Sequence, residues 1–302
     1  MTNLLLYIIS VLIWGSTWLA IEFQLGVVAV EVSLAYRYLI AAGLAFAWCA
    51  LRRLPLRFDW RGHVYFALMG MFMFGLNYIA AYTAQIYITS ALNAIGFSAM
   101  VWMNIINARI FLGSRIDRST AVGAGLGIVG IVIIFWPEVQ SISLSDQTFI
   151  GACLSLTGAL LASFGNVIAQ AAQQRSLPVM PSTAWSMLYG AILNTGFAVA
   201  RGKPFDFDPS PAYLTSLLFL AVFGSVVAFG CYLTLLGRIG ANRAGYSMVM
   251  IPIVALVLSA MFEGLELEFN ILVGVAIALA GNVAILASGR RARRAAREAA
   301  GG

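Results

Sequence analysis

The chain alternates long apolar runs with short polar breaks. The runs occupy residues 4–23, 32–51, 64–85, 91–111, 120–136, 149–171, 182–200, 212–236, 241–262 and 269–287. A helix crosses bilayer hydrocarbon in roughly 20 residues, so this spacing predicts ten transmembrane helices and an all-α integral membrane protein. Pro55, Pro137, Pro178, Pro181, Pro204, Pro209 and Pro211 fall at or near the breaks, and only Pro252 lies well inside a run. The first run follows Met1-Thr2-Asn3, which carries no Lys or Arg, and it ends without a small-residue cleavage pattern. It reads as a retained span rather than a signal peptide.

Composition agrees with a lipid solvent. Of 302 residues, 61% are hydrophobic and 10% charged, against about 25% charged in a soluble domain. The net charge of +6 does not point to a nucleic acid, because the basic residues sit at the ends of runs rather than on one phosphate-reading face. Arg52, Arg53, Arg57, Arg61, Arg109, Arg115, Arg118, Arg175, Arg238, Arg243 and the tail Arg290, Arg291, Arg293, Arg294 and Arg297 all fall on one side of a ten-span topology. The opposite side receives Arg201 and Lys203, with Arg37 a turn inside its run. The positive-inside rule then places both termini in the cytoplasm of a bacterial-type inner membrane. The tail reads as a topology anchor beside anionic lipid. Cys49, Cys153 and Cys231 share no short spacing and lie within apolar runs, so they are expected as small core residues rather than disulfide or metal partners. No cofactor is expected.

The chain also repeats itself weakly. Trp14-Gly15 matches Phe164-Gly165, Tyr82 matches Tyr232, Ala91 matches Ala241 and Ala94 matches Ala244, each pair 150 residues apart. Gly123 and Gly130 match Gly274 and Gly281 at an offset of 151. A repeat of five spans is odd, so its second copy enters the membrane from the other side, the inverted plan of many secondary transporters. The expected organisation is a first five-helix repeat over 1–140, an inverted second repeat over 141–289 and a basic cytoplasmic tail over 290–302. Small-residue spacing, as in Gly123-xxx-Gly127, marks the fifth and tenth spans as closely packed scaffold.

Polar residues inside spans are candidate sites because lipid penalises them. No Asp or Glu lies deep in a run, and the single histidine, His63, stands at a helix entry. That pattern predicts flux without an obligatory proton-carrying residue. It also supplies no catalytic constellation, ring of charge or carbonyl filter, which argues against an enzyme or a channel. Tyr78, Tyr82 and Gln85 share one helical stripe, extended by Met71, Phe74 and Gly75. Aromatic faces with polar tips suit an amphipathic guest and its ammonium group, although the same tyrosines also suit bundle packing. Ser98 and Trp102 lie on one face of the fourth span, and Asn93, Asn104 and Asn107 lie near another. The first face is taken as pathway and the asparagines as interhelical hydrogen bonds. Trp14, Thr17 and Trp18, with Trp185, Ser186 and Tyr189, complete the candidates; the tryptophans are alternatively interfacial belt residues. Arg37 has two readings, an anchor for the outer loop and a contact to a substrate carboxylate.

These residues resemble the drug/metabolite transporter superfamily in its EamA-type, ten-helix exporter branch. The resemblance is carried by Trp14-Gly15-Ser16, by Arg37 within Ser33-Leu-Ala-Tyr-Arg-Tyr, by Thr89-Ser90-Ala91, by Ile251-Pro252-Ile253 and by the glycine-spaced fifth and tenth spans. It covers essentially the whole chain. Two places depart from the family pattern: Leu112-Gly113-Ser114-Arg115 where Gly-Glu often stands, and Trp102 where the first repeat usually carries a proline. The resemblance implies export of small neutral or zwitterionic metabolites by alternating access through a cavity between the repeats. The aromatic third and fourth spans are most similar to exporters of aromatic and other neutral amino acids. The alternative is an exporter of drug-like or nucleoside-like compounds. The expected partners are a small-molecule substrate and membrane lipid, with the protein acting as a monomer.

Overall fold

The computed structural model describes residues 1–114, 118–134, 136, 147–239, 244, 247–264, 268–281 and 283. Arg115, Pro137, Ala241, Arg243, the 140/141 division and the tail 290–302 lie outside the described residues. Ten helices run through the rest: α1 Asn3–Glu22, α2 Val30–Leu51, α3 Trp60–Gln85, α4 Ser90–Leu112, α5 Arg118–Ile134, α6 Gln147–Gln174, α7 Val179–Ala200, α8 Pro211–Ile239, α9 Ser247–Phe262 and α10 Phe269–Gly281. No strand occurs among the described residues. Six of these helices, α1 to α4, α6 and α8, are long and apolar enough to cross a membrane.

Local sequence explains where the helices begin and end. Thr2, Asp59, Thr89 and Ser210 each accept a hydrogen bond from a backbone N–H in the first turn of α1, α3, α4 and α8, satisfying a donor that has no partner inside the helix. Gly113 closes α4 with φ at +66°, a conformation that costs glycine nothing.

The packing is internally symmetric. α1 packs on α8 and α9, while α6 packs on α3 and α4. α2 lies along α7, and each also meets the middle of the other half's third helix. The tightest expression is between α5 and α10. A methyl group added to Gly130 would lie 2.5 Å from the Gly274 carbonyl, and one added to Gly281 would lie 2.5 Å from the Gly123 carbonyl. Because Gly123 corresponds to Gly274 and Gly130 to Gly281, exchanging the halves turns the Gly130–Gly274 contact into the Gly281–Gly123 contact, as an isologous two-fold contact requires.

α3 and α8 share one irregularity. Residues Gly70–Leu76 and Leu220–Val227 form π-helix, again 150 residues apart. A π segment leaves carbonyls out of the regular ladder, and neighbouring helices supply partners. Asn194 Nδ2 on α7 donates to the Phe74 carbonyl at 3.1 Å. Trp14 Nε1 on α1 donates to the Gly224 carbonyl at 3.0 Å.

Two expectations are corrected. Cys49 and Cys231 are buried, but Cys153 lies exposed on the bundle's outer face; lipid solvates an outward thiol as well as a core does. Arg37 does not reach outward to the loop. It is 1% exposed, bonded wholly within the bundle.

Candidate functional site

A cavity opens at the middle of the bundle, with about 640 Å³ of empty space including its mouth. Residues from both halves line it: α1 contributes Trp14, Thr17, Trp18 and Ile21, and α3 contributes Met73, Asn77 and Tyr78. Ala94, Phe97 and Met100 of α4, Ala162 and Asn166 of α6, Phe229 and Tyr232 of α8, and Ile251 of α9 complete the wall.

The wall is aromatic and uncharged. Trp14 meets Phe229 and Tyr232 at centroid distances of 4.8 and 4.9 Å, and Trp18 meets Phe97 at 4.9 Å. These tilted and edge-on contacts hold the rings against one another. The polar groups are few. Asn77 Oδ1 and the Tyr232 hydroxyl are buried without a hydrogen-bond partner, so two residues of the lining carry an unsatisfied polar atom. Asn166 Nδ2 is only weakly engaged, 3.3 Å from Met100 Sδ and 3.4 Å from Asn104 Oδ1.

Behind the Tyr78 ring sits Arg37. Its Nε donates to Ser225 Oγ at 3.0 Å and its Nη1 to the Tyr82 hydroxyl at 3.1 Å. The guanidinium carbon lies 4.7 Å from the Tyr78 ring centroid and 5.2 Å from that of Tyr38. Nη2 is buried and unpartnered. Among the described residues the one ion pair is Arg201–Glu31, at 2.6 Å, so no carboxylate neutralises Arg37. An arginine at mid-membrane costs about 2.5–3.5 kcal/mol on insertion scales. Desolvated cation–π contacts offset up to about 2 kcal/mol.

The sequence-derived candidates separate into three places. Trp14, Thr17 and Tyr78 line the cavity together. Tyr82 and Arg37 form the layer behind it. Gln85 stands apart, donating to the Trp18 carbonyl at 2.9 Å and to Glu22 Oε2 at 3.1 Å. Tyr78, Tyr82 and Gln85 follow one another in regular helix, Asn77–Gln85, and only Tyr78 is level with the cavity. The π segment, Gly70–Leu76, shifts the helical phase upstream of them, and Met73 and Asn77, rather than Met71 and Phe74, join Tyr78 at the cavity.

Ser98 and Trp102 do not line the cavity. Ser98 Oγ donates to the Ile95 carbonyl of its own helix. Trp102 packs with Ala91, Ile95, Ala99, Ile134, Leu256 and Ile271, toward α5, α9 and α10. The cavity takes the Ala94, Phe97 and Met100 face instead. The asparagines bond across helices: Asn93 to the Ala81 carbonyl at 2.7 Å, Asn107 to Ser163 Oγ at 2.9 Å and Asn104 to Asn166. Trp185 and Tyr189 belong to a separate cluster at the other end of α3. Trp185 Nε1 donates to the Leu56 carbonyl at 3.1 Å, and the Tyr189 hydroxyl pairs with His63 Nδ1 at 2.9 Å. Sequence reasoning missed Asn77, Phe97, Asn166 and Phe229 as cavity residues. Tyr232 entered the sequence reading only as the repeat counterpart of Tyr82, not as a cavity residue.

Ten apolar helices with internal two-fold packing, enclosing a small uncharged cavity shared by both halves, define a membrane transporter of small solutes. The chain belongs to the EamA-like transporter family, which matches residues 1–136 and 149–287. Its relatives are named as transporters, not enzymes. It is 24% identical over 93% of its length to the uncharacterized transporter YoaV of Bacillus subtilis, covering 96% of that protein. It is 26% identical to a probable amino-acid metabolite efflux pump of Salmonella typhimurium, over 97% of both chains. An inner membrane transporter of Escherichia coli, YedA, is 25% identical over 84% of this chain and 80% of its own. A crystal structure sharing 17% identity superposes with a TM-score of 0.74 over 96% of this chain and 98% of that one, which establishes the common fold.

Proposed function

We propose that the protein exports small zwitterionic metabolites, aromatic and other neutral amino acids foremost, by alternating access through the central cavity. The carrying observation is an unsatisfied acceptor on an aromatic wall: Asn77 Oδ1 is buried and unpartnered, and Asn77 lines the cavity with Trp14, Trp18, Tyr78 and Phe97. An ammonium group there gains a hydrogen bond and aromatic faces together, while an aromatic side chain fits the apolar wall. The name of the Salmonella relative supports the same substrate class. The two halves, 1–140 and 141–289, exchange shapes about the cavity, with both termini and the basic tail 290–302 on the cytoplasmic side of the inner membrane and the protein acting as a monomer.

Radiolabelled phenylalanine counterflow in proteoliposomes tests this. Saturable flux is expected, reduced about tenfold in Asn77→Leu, which removes one charge-assisted hydrogen bond. Absence of saturable flux for phenylalanine, methionine and threonine, with flux of a nucleoside, would replace the amino-acid reading by the nucleoside-like one.

A further inference from the structure

We infer that Arg37 forms an anion site at the edge of the cavity, taking a small monovalent anion through its free Nη2. The ligand chemistry is that of a carboxylate or a halide, supplied by a zwitterionic guest or by free chloride. The guest arm rests on the amino-acid reading above, whereas the chloride arm does not.

Three observations carry the site. First, Arg37 is the only Lys or Arg buried among the described residues, and it has no acidic partner within ion-pair distance. A buried charge without a counter-charge is the arrangement proteins otherwise avoid. Second, every neighbour that engages the guanidinium is neutral: Ser225, Tyr82, Tyr78 and Tyr38. They hold the cation in place and orient it without discharging it, and the adjacent Tyr38 hydroxyl is itself unpartnered. Third, the approach from the cavity runs past a missing side chain. A methyl group on Gly224 would fall 2.8 Å from Thr17 Cγ2 and 3.4 Å from Arg37 Nη2. Thr17 lines the cavity, so one residue separates the buried Nη2 from the transported guest.

The repeat shows that this charge is not a requirement of packing. Helices α2 and α7 correspond at an offset of 149, Val30–Leu51 on Val179–Ala200, so the counterpart of Arg37 is Ser186, fully buried in the same α2–α7 pairing. An uncharged side chain therefore serves the bundle at that place. With Asn77 facing an ammonium and Arg37 a carboxylate, the two poles of a zwitterion meet opposite groups.

The test is thermal melting of the purified full chain in detergent, titrating sodium chloride against sodium gluconate at constant ionic strength. A saturable, chloride-specific rise in melting temperature is expected. Gly224→Ala, which places a methyl before Nη2, and Arg37→Lys, which keeps the charge but loses the planar fork, should each weaken that response about tenfold, the loss of one charge-assisted hydrogen bond. Phenylalanine should compete with chloride, and phenethylamine, which lacks the carboxylate, should not. Chloride stabilisation without competition assigns the site to inorganic anion and leaves the amino-acid reading to the flux assay. A phenylalanine effect alone, lost in both variants, assigns it to the carboxylate. No anion effect of either kind, or responses unchanged in both variants, overturns the proposal.

Discussion

At the scale of single residues, the repeat sets up a controlled comparison between Tyr82 and Tyr232. Both are buried tyrosines at corresponding positions. Tyr82 accepts from Arg37 Nη1, whereas the Tyr232 hydroxyl has no partner. Removing one side of a charged buried hydrogen bond leaves the other stranded, at about 1–3 kcal/mol or more. Tyr82→Phe should therefore lower the melting temperature clearly in detergent. Tyr232→Phe deletes a hydroxyl that has nothing to lose and should leave stability unchanged or raised. A loss of flux in Tyr232→Phe at intact stability would mark that hydroxyl as a contact to the guest. Equal melting losses in both would contradict the hydrogen-bond assignment. The sequence offset identified the pair, but not its different environments, which follow from Arg37 in one half and Ser186 in the other. Arg37 was legible as a candidate; its depth was not, because its partners, Tyr82 and Ser225, stand 45 and 188 residues away in the chain.

At the scale of helices, apolar runs and charge placement predict the elements well, while the faces of those elements are poorly encoded. In lipid, an outward leucine and an inward leucine are equally well solvated, so hydrophobicity does not separate cavity from exterior. α4 illustrates this: its cavity face is Ala94, Phe97 and Met100, which look no different from its lipid-facing Ile106 and Ile110. The π segments of α3 and α8 break the helical period that stripe arguments rest on. Glycine spacing is the exception, because close backbone approach admits no other residue. A side chain at Gly130 would meet the Gly274 carbonyl at 2.5 Å and the Ala278 amide at 2.8 Å, both backbone atoms that cannot step aside. Gly125, on the same helix, has nothing within 4 Å of an added methyl. Gly130→Val should thus destabilise α5–α10 packing by about 1–3 kcal/mol, read as a lower melting temperature, and Gly125→Val should be silent. A silent Gly130→Val would mean that the two helices do not depend on this contact.

At the scale of the whole molecule, the two halves are clasped asymmetrically about the cavity. The described part of α9 packs along residues 90–98 of α4 and barely meets residues 100–112. The joined end is tied by Glu263, whose Oε2 accepts from Ser90 Oγ at 2.6 Å and from Ser259 Oγ. Leu112, which precedes the left-handed Gly113 as Glu263 precedes the left-handed Gly264, occupies the corresponding place in the first half and offers no carboxylate for an equivalent clasp. Transport by alternating access requires this end to open in turn, so the carboxylate contributes to how strongly the closed form is favoured. Glu263→Ala removes both acceptor contacts and should shift the population toward opening on the side away from the N-terminus. A cysteine at Ala94, in a background with Cys49, Cys153 and Cys231 replaced, reports on this. Ala94 lines the cavity and is 1% exposed. A membrane-impermeant thiol reagent applied from that side should label it several-fold faster when Glu263 is alanine. Of the two contacts only that to Ser90 joins α4 to α9, and a hydrogen bond contributes about 0.5–1.5 kcal/mol, which corresponds to roughly two- to twelve-fold in population. Glu263→Gln keeps an acceptor and should fall between the two. Unchanged labelling in Glu263→Ala, with the protein folded, would locate the restraint on opening elsewhere in the α4–α9 contact and reduce Glu263 to a helix-end bond.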